Sequence, residues 1–288
     1  MKNDFLSELS ENVELLKEHI PNNFFQKCLE HESLIHLHIP KTGGTFFKDV
    51  FNQALSINFI EAGHGTCNKL HLFPDPTDAI PGKKILYYPD IEGYKNALKI
   101  AIIRNPYDWL VSFYYHEVTN DNDLVPEHLK EILELNNIRG VGSIRKFYKT
   151  FEDFIFAYCD PSAYWPDGLK GFKNFIPFQI FDDKGTCHAD FCLRNEFLNL
   201  ACYCLLIGLG VDHKRARWIF DQERINTSAR LTSDYRKFYT QKMLDVLTIK
   251  LKRENKFLMY DFETGPLDKN FIIDLKNLNY SPISNKIS

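Results

Sequence analysis

The chain has 288 residues, of which 44% are hydrophobic and 25% are charged. A chain of this length and composition can bury a full core, which excludes the disordered class and favours one large domain, alone or with an appendage. The net charge of -3 at pH 7 argues against a protein that coats nucleic acid, so any polyanion site must be local.

No apolar run approaches the roughly 20 residues that a membrane-spanning helix needs, and the first ten residues lack the apolar centre of a signal peptide. These features predict a cytoplasmic protein without a membrane partner. The seven cysteines are odd in number and form no C-x-x-C pair, which favours reduced, packed cysteines over disulfides or a zinc knuckle. The sequence offers no convincing ligand set, so we expect no metal.

The first predicted element is a helix. Apolar residues recur every three or four positions over residues 4–20, which is typical of an amphipathic helix, and Pro21 ends the pattern. We expect residues 1–33 to form an N-terminal helical segment packed on the main domain.

Residues 34–50 (LIHLHIPKTGGTFFKDV) predict a strand, a glycine loop and a helix over residues 46–55. This arrangement makes an anion site, because adjacent glycines let backbone N–H groups approach a ligand and the new helix adds the positive end of its dipole. Lys41 and two threonine hydroxyls add donors. An ordinary strand-to-helix turn is the alternative. The G-x-x-x-x-G-K-[ST] pattern is absent because the lysine precedes the glycines, which makes a kinase or ATPase the weaker interpretation.

A second strand is predicted over residues 56–60, followed by a polar, turn-rich loop over residues 61–81. In an open α/β sheet, ligands bind at loops that follow the strands. His64 lies in this loop between two glycines. A surface histidine is the commoner role, but a position beside the predicted anion site makes His64 a candidate catalytic residue.

Residues 97–103 (ALKIAII) predict a strand buried in a parallel sheet. Arg104 follows this strand, where a planar cation can grip a phosphate, and Pro106 suits the first turn of the next helix. Ser112 lies about two turns along that helix. A salt bridge to Asp108 is the alternative role for Arg104.

The two stretches together, residues 40–45 (PKTGGT) and residues 104–114 (RNPYDWLVSFY), resemble the nucleotide signatures of sulfotransferases that use 3′-phosphoadenosine-5′-phosphosulfate (PAPS). The similarity is greatest to the branch of carbohydrate sulfotransferases of the heparan sulfate 2-O-sulfotransferase type. Either motif alone is suggestive, whereas the pair in this order is specific.

The resemblance implies a role for each matched position. The glycine loop would hold the 5′-phosphosulfate, with Lys41 stabilising the leaving group, and Arg104 with Ser112 would hold the 3′-phosphate. The general base would lie in the loop after the second strand, where His64 fits best and Glu61 and His71 are alternatives. The implied cofactor-binding residues are Lys41, Thr42, Gly43, Gly44, Thr45, Phe46, Arg104, Ser112, Ser228 and Arg230.

The later chain predicts scaffold elements. Residues 189–193 read as a strand, and Arg194 and Glu196 lead into an apolar helix over residues 197–209; we assign both side chains structural roles. The end of the basic stretch 215–230 resembles the family segment that closes over the adenosine and 3′-phosphate, which makes Ser228 and Arg230 candidates. A solvated helix face is the alternative. Residues 234–255 predict one long helix, and residues 266–288 a peripheral tail.

The fold class expected from these elements is α/β, a P-loop-like three-layer sandwich with a mostly parallel central sheet flanked by helices, and the sulfotransferase domain spans residues 34–265. The expected reaction moves a sulfuryl group from PAPS to a hydroxyl or amine, leaving 3′,5′-adenosine bisphosphate (PAP). The acceptor is a small molecule or a saccharide, and the modest net charge favours a small one. A P-loop nucleotide kinase and a non-catalytic nucleotide-binding protein are the alternatives.

Overall fold

The computed structural model of the protein describes residues 16–31, 33–39, 42–54, 58–63, 94–119, 148–163, 180, 187–222 and 234–276. Within these residues the fold is mixed α/β with a mostly parallel central sheet, as the sequence predicts. None of the helices in these ranges is long and apolar enough to cross a membrane.

The central sheet has the strand order β2-β1-β3-β4-β7. The first four strands in this order are parallel to one another, and β7 runs antiparallel to β4. A separate short hairpin pairs β5 with β6. The strands are β1 (Ser33–His38), β2 (Asn58–Gly63), β3 (Leu98–Ile103), β4 (Phe191–Arg194), β5 (Tyr260–Asp261), β6 (Gly265–Pro266) and β7 (Ile272–Ile273).

Helices follow β1, β3 and β4 in the chain. The predictions of strands near residues 34–39, 97–103 and 189–193, and of helices near residues 46–55 and 197–209, are confirmed. The α-helices are α1 (Phe24–Leu29), α2 (Gly44–Ala54), α3 (Pro106–Thr119), α4 (Phe151–Cys159), α5 (Leu198–Gly208), α6 (His213–Ala216) and α7 (Gln241–Leu258).

Successive side chains of each strand point to opposite faces of the sheet, and two apolar clusters result. Leu34 and Ile100 belong to one cluster, which contains apolar residues of α2 and α5. Ile35 and Ala101 belong to the other, which contains residues of α3, α4 and α7. Both faces of β1 and β3 are therefore buried, which explains their nearly continuous apolar sequences.

Residues 234–255 do not form one helix, which corrects the prediction. A 3₁₀ turn at Tyr235–Phe238 precedes α7, and the hydroxyl of Thr240 accepts a hydrogen bond from the N–H of Met243 at 3.4 Å. A threonine in extended conformation at this position is a typical helix N-cap, so α7 begins only after it.

The prediction that residues 266–288 form a peripheral tail is wrong for its first part. Four buried apolar residues between 271 and 275 pack into the two clusters, and two of them form β7. The N–H of Phe271 also donates to the carbonyl of His19 at 3.2 Å, which joins this segment to the one before α1. Apolar burial outweighs the polar surroundings of this stretch. The four residues are Phe271, Ile272, Ile273 and Leu275.

The amino edge of the sheet contains a buried ionic cluster. Asp190, just before β4, is 4% exposed; it accepts from the N–H of Lys99 at 2.7 Å, and its carboxylate also contacts the ammonium of Lys276. The ammonium of Lys99 lies 3.6 Å from the Asp190 carboxylate and donates to the carbonyl of Ala97 at 2.7 Å. Burial lowers the pKa of Lys99. For Asp190, burial acts to raise the pKa, but hydrogen bonds from Lys276 and Lys99 outweigh it and the pKa is lowered.

Candidate functional site

The strand order places a topological switch point between β1 and β3. After β1 the chain turns to the face covered by α2 and continues to β2, whereas after β3 it turns to the face covered by α3. Ligands bind at such a point in open α/β sheets, outside the carboxyl ends of the strands. The loop after β1 and the turn after β3 are the two predicted motifs, and parallel pairing of β1 with β3 brings them to one edge.

The loop after β1 is tightly folded. Thr42 is buried, and its hydroxyl donates to the carbonyl of Ile39 at 2.7 Å, so this hydroxyl stabilises the loop in the structure. Gly43 has φ 99°, a conformation that L side chains rarely adopt. Helix α2 begins at Gly44, two residues earlier than predicted, so the exposed Thr45 lies in its first turn. Pro40 and Lys41 lie outside the described residues.

Gly44 is packed against two histidines of β1. A Cβ atom at this position would stand 2.6 Å from Nε2 of His38 and 3.1 Å from Cε1 of His36. The rings of His38 and His36 stack at a centroid distance of 5.2 Å, and the stack continues at 4.6 Å onto Phe47 and at 4.3 Å onto Phe51. The histidine rings therefore have little room to move, and only glycine fits at the start of α2.

The turn after β3 contains the predicted cation. The side chain of Arg104 is 12% exposed, and its Nε and Nη2 atoms both lie 2.7 Å from Oδ2 of Asp108. This ion pair is the alternative role considered for Arg104. Ser112 lies on α3, two turns beyond Arg104, and is buried.

Asn105 fixes the shape of this turn. Its side-chain oxygen accepts from the N–H of Tyr107 at 2.9 Å, which caps the first turn of α3. Its side-chain nitrogen donates to the hydroxyl of Tyr235 at 3.1 Å and to the carbonyl of Asp261 at 3.2 Å. Its backbone N–H donates to Oε1 of Glu196 at 2.8 Å. The turn that holds Arg104 is therefore anchored on several sides.

The residues after β4 contact both motifs, which sequence reasoning missed for Asn195. The side-chain nitrogen of Asn195 donates to the carbonyl of Thr42 at 2.6 Å. The neighbouring Glu196 accepts from the N–H of Asn105 through Oε1 and from the hydroxyl of Tyr260 at 2.7 Å through Oε2. No local pattern reveals these contacts, because they join residues 153 and 91 positions apart in the chain.

Arg194 packs against Tyr260, the partner of Glu196, in agreement with its predicted structural role. It is fully buried, lies 3.2 Å from Asp268 and stands 4.8 Å from the ring centroid of Tyr260. Its Nη1 donates to the carbonyl of Met259 at 3.4 Å. Burial, followed by the charge of Glu196, raises the pKa of Tyr260, so this phenol stays a neutral donor.

The predicted base candidates are mostly not described. Glu61 lies within β2, at the register position of His36. The sequence predicts Glu61 in the loop after this strand, and the structure corrects that prediction. The last residue of β2, Gly63, stands opposite His38. The base candidates His64 and His71 lie outside the described residues, as do Ser228 and Arg230, which were predicted to bind the cofactor.

A family model described as "Sulfotransferase family" matches residues 27–170, which is half of the chain. The chain belongs to the sulfotransferase family. Both motifs of this sulfotransferase fall inside the matched range, whereas Asn195 and Glu196 follow it. The family supports sulfuryl transfer by an enzyme as the general activity. No curated protein and no solved structure matches the chain.

Proposed function

We propose that this sulfotransferase uses PAPS and transfers its sulfuryl group to a hydroxyl or amine of a small-molecule or saccharide acceptor. The observation that carries the proposal is the parallel pairing of β1 with β3. This pairing puts a glycine loop that opens a helix and an arginine turn at one edge of the sheet, which suits a donor with phosphates at both its 5′ and 3′ positions.

The loop after β1 fits the 5′-phosphosulfate. Its two glycines let the backbone pack closely against the residues after β4 and against the histidines of β1. The first turn of α2 offers N–H groups of Gly44, Thr45 and Phe46. The exposed hydroxyl of Thr45 adds a donor, while Thr42 contributes through the backbone because its hydroxyl serves Ile39. Lys41 follows this strand in sequence and supplies the charge.

Arg104 and Ser112 form the proposed 3′-phosphate site. A guanidinium has five N–H donors in a planar fork, and the contacts of Nε and Nη2 with Asp108 orient that plane. The ion pair is therefore compatible with phosphate binding, and Asp108 acts as an orienting group. Ser228 and Arg230 are proposed to close over the adenosine and the 3′-phosphate.

The bound donor supplies an activated S–O bond. His64 takes the proton of the acceptor as the acceptor atom bonds to sulfur, since a histidine with an ordinary pKa of about 6.5 is suited to this task. Lys41 meets the negative charge that collects on the bridging oxygen as the S–O bond breaks in line with the attack. The chain thus contributes positioning and charge stabilisation. Glu61 and His71 are the alternative bases.

The finer classification belongs to the same proposal. We propose a P-loop-like three-layer sandwich with the catalytic domain at residues 34–265, and a relationship to the heparan sulfate 2-O-sulfotransferase type. The two apolar clusters on opposite faces of the sheet support the layered arrangement. The modest net charge supports a small acceptor over a long acidic polysaccharide.

Thermal unfolding with PAP, ADP and ATP tests the donor. A ligand that binds the native state raises the melting temperature, and the rise grows with the ratio of ligand concentration to Kd. Because the proposed site binds PAP more tightly than ADP, PAP should stabilise the protein more at equal concentration. Stabilisation by ATP and Mg²⁺ with no response to PAP would contradict the proposal and support a nucleotide kinase. Binding of PAP with no transfer of labelled sulfate to any acceptor would support a non-catalytic nucleotide-binding protein.

Replacement of the proposed catalytic residues tests the mechanism. We expect Lys41→Ala and His64→Ala each to lower turnover on the order of a hundredfold while the melting temperature is kept. Lys95→Ala is the matched control, because Lys95 is exposed before β3, at the other edge of the sheet. Near-normal turnover of His64→Ala would show that the base is another residue, and Glu61→Gln and His71→Ala would be measured next.

A further inference from the structure

We infer that the consecutive residues Asn195 and Glu196 are a positioning pair that fixes the spacing of the two phosphate-binding loops and so selects a donor carrying phosphate at both ends. This inference rests on the proposed use of PAPS. The pair stands at the carboxyl end of β4, and each member holds a different loop: Asn195 the loop after β1, and Glu196 the turn after β3.

The contact with the first loop is a short hydrogen bond and close packing. The side-chain nitrogen of Asn195 lies 2.6 Å from the carbonyl oxygen of Thr42. A Cβ atom on Gly43 would lie 2.8 Å from the same nitrogen and 2.7 Å from a methyl group of Leu198. The peptide between Thr42 and Gly43 therefore rests directly on the residues after β4.

The contact with the second loop uses a carboxylate whose two oxygens are both engaged. Oε1 of Glu196 accepts from the N–H of Asn105 at 2.8 Å, and Oε2 accepts from the hydroxyl of Tyr260 at 2.7 Å. A hydrogen bond to a charged acceptor is about twice as strong as one between neutral groups. Tyr260 thus holds the carboxylate in the orientation that fixes Asn105, the neighbour of Arg104.

The turn between the two contacts is held on both sides. Asn195–Phe197 forms one 3₁₀ turn, preceded by the fully buried Arg194 and followed by the buried helix α5. A displacement of either loop is therefore resisted by the same short segment. The nucleoside limits how far apart the two phosphates of PAP can lie, so a fixed loop spacing within that range favours ligands with both phosphates over ligands with one.

Binding of PAP and of its two halves, 5′-AMP and 3′-AMP, tests this inference. The variants are Asn195→Ala, Glu196→Ala and Glu196→Gln, and Kd is measured calorimetrically below the unfolding transition of every variant. Asn199→Ala is the control, because this amide lies in the first turn of α5 and donates to the carbonyl of Ile219 at 3.1 Å.

We expect Asn195→Ala to raise the Kd for 5′-AMP by about tenfold and to leave the Kd for 3′-AMP within about twofold of the wild-type value. Glu196→Ala should give the opposite pattern. Both alanine variants should bind PAP more weakly than the wild type. Glu196→Gln should keep most of the affinity for 3′-AMP, because the amide oxygen still accepts from the N–H of Asn105. The control should change none of the three values.

Two results separate the possible failures. A wild-type protein that binds none of the three nucleotides overturns the proposed function. A wild-type protein that binds PAP, with Asn195→Ala and Glu196→Ala lowering the melting temperature but leaving all three Kd values within about twofold, overturns the positioning pair and leaves the proposed function standing.

Discussion

At the amino edge of the sheet, Asp190 is enclosed by Lys99 and Lys276, whereas at the carboxyl edge Arg104 stays partly exposed beside Asp108. Both edges contain charged residues that are paired within the protein, but the carboxylate at the amino edge is almost fully buried. At the carboxyl edge, carboxylates orient a cation and a backbone turn. We therefore propose that the amino edge serves stability and the carboxyl edge serves binding, although both use the same residue types.

Of the replacements considered, Asp190→Asn should cost the most stability, and it tests whether the amino edge acts on stability alone. It leaves the ammonium of Lys99 almost buried without a carboxylate, and removing one partner of a buried ion pair costs about 3 kcal/mol in the free energy of unfolding. The affinity for PAP should not change. Chemical denaturation and calorimetry measure the two quantities.

The matched control for that variant is Asp234→Asn. Asp234 pairs with Arg236 at 2.8 Å, but Arg236 is exposed and Asp234 is only half-buried, so the loss should be a small fraction of that at Asp190. A loss of PAP affinity in Asp190→Asn comparable to that of Arg104→Ala would contradict the separation of the two edges.

The replacement Gly44→Ala should have the next largest effect, at the carboxyl edge. The new methyl group meets the ring of His38, and overpacking of this kind costs about 2 kcal/mol. The double variant Gly44→Ala/His38→Ala should lose less than the sum of the single changes, because the nearest contact is removed. Partial recovery is expected, since His36 remains 3.1 Å from the new atom.

Gly43→Ala is the control for the double-mutant cycle of Gly44→Ala and His38→Ala. Its strain comes from φ 99° and from contacts with Leu198 and Asn195, so His38→Ala should not relieve it. Additive losses in the Gly44 cycle would show that the histidine does not limit that position.

The smallest expected effect is a pH dependence at the amino edge. The pKa of Asp190 in the folded protein is lowered below its ordinary value of about 3.9. Its stabilising contribution is therefore fully present above that value and is lost as the pH falls through the lower, folded pKa. The charged groups that act on this cluster are Asp190, Lys99, Lys276 and Lys27.

The measurement is the difference in unfolding free energy between the wild type and Asp190→Asn as a function of pH. It should be constant above about pH 5 and shrink in more acidic solution. A difference that grows on acidification would mean that Asp190 is not the stabilised anion of the cluster.

Much of the carboxyl edge could be predicted from sequence, because its parts are local. The strand, glycine loop and helix around Gly43 follow from composition and spacing, and Arg104 follows from a buried strand that stops at a charge. The ends of elements were less certain. Glu61 continues β2 because β1 beside it offers backbone partners, which no local pattern records.

The contacts that join the two motifs could not be predicted. Asn195 carries no signal in the sequence, because an asparagine after a strand is ordinary and its partner, Thr42, is distant in sequence. The sequence predicts a structural role for Glu196, but its contact with Asn105 depends on the order of strands in the sheet. Side chains that act across strands carry no periodic signal, so their partners emerge only with the topology.

The antiparallel strand β7 has a consequence for synthesis of the chain on the ribosome. The edge of β4 that pairs with β7 gains this partner only when Ile272 and Ile273 are made, and the N–H of Phe271 then donates to the carbonyl of His19. Until residues 271–273 are made, a nascent chain therefore leaves this edge without its β7 partner, and an unpaired strand edge is a template for pairing with other chains. Shortened forms ending before residue 271 should aggregate during expression, even though the glycine loop and the arginine turn are intact.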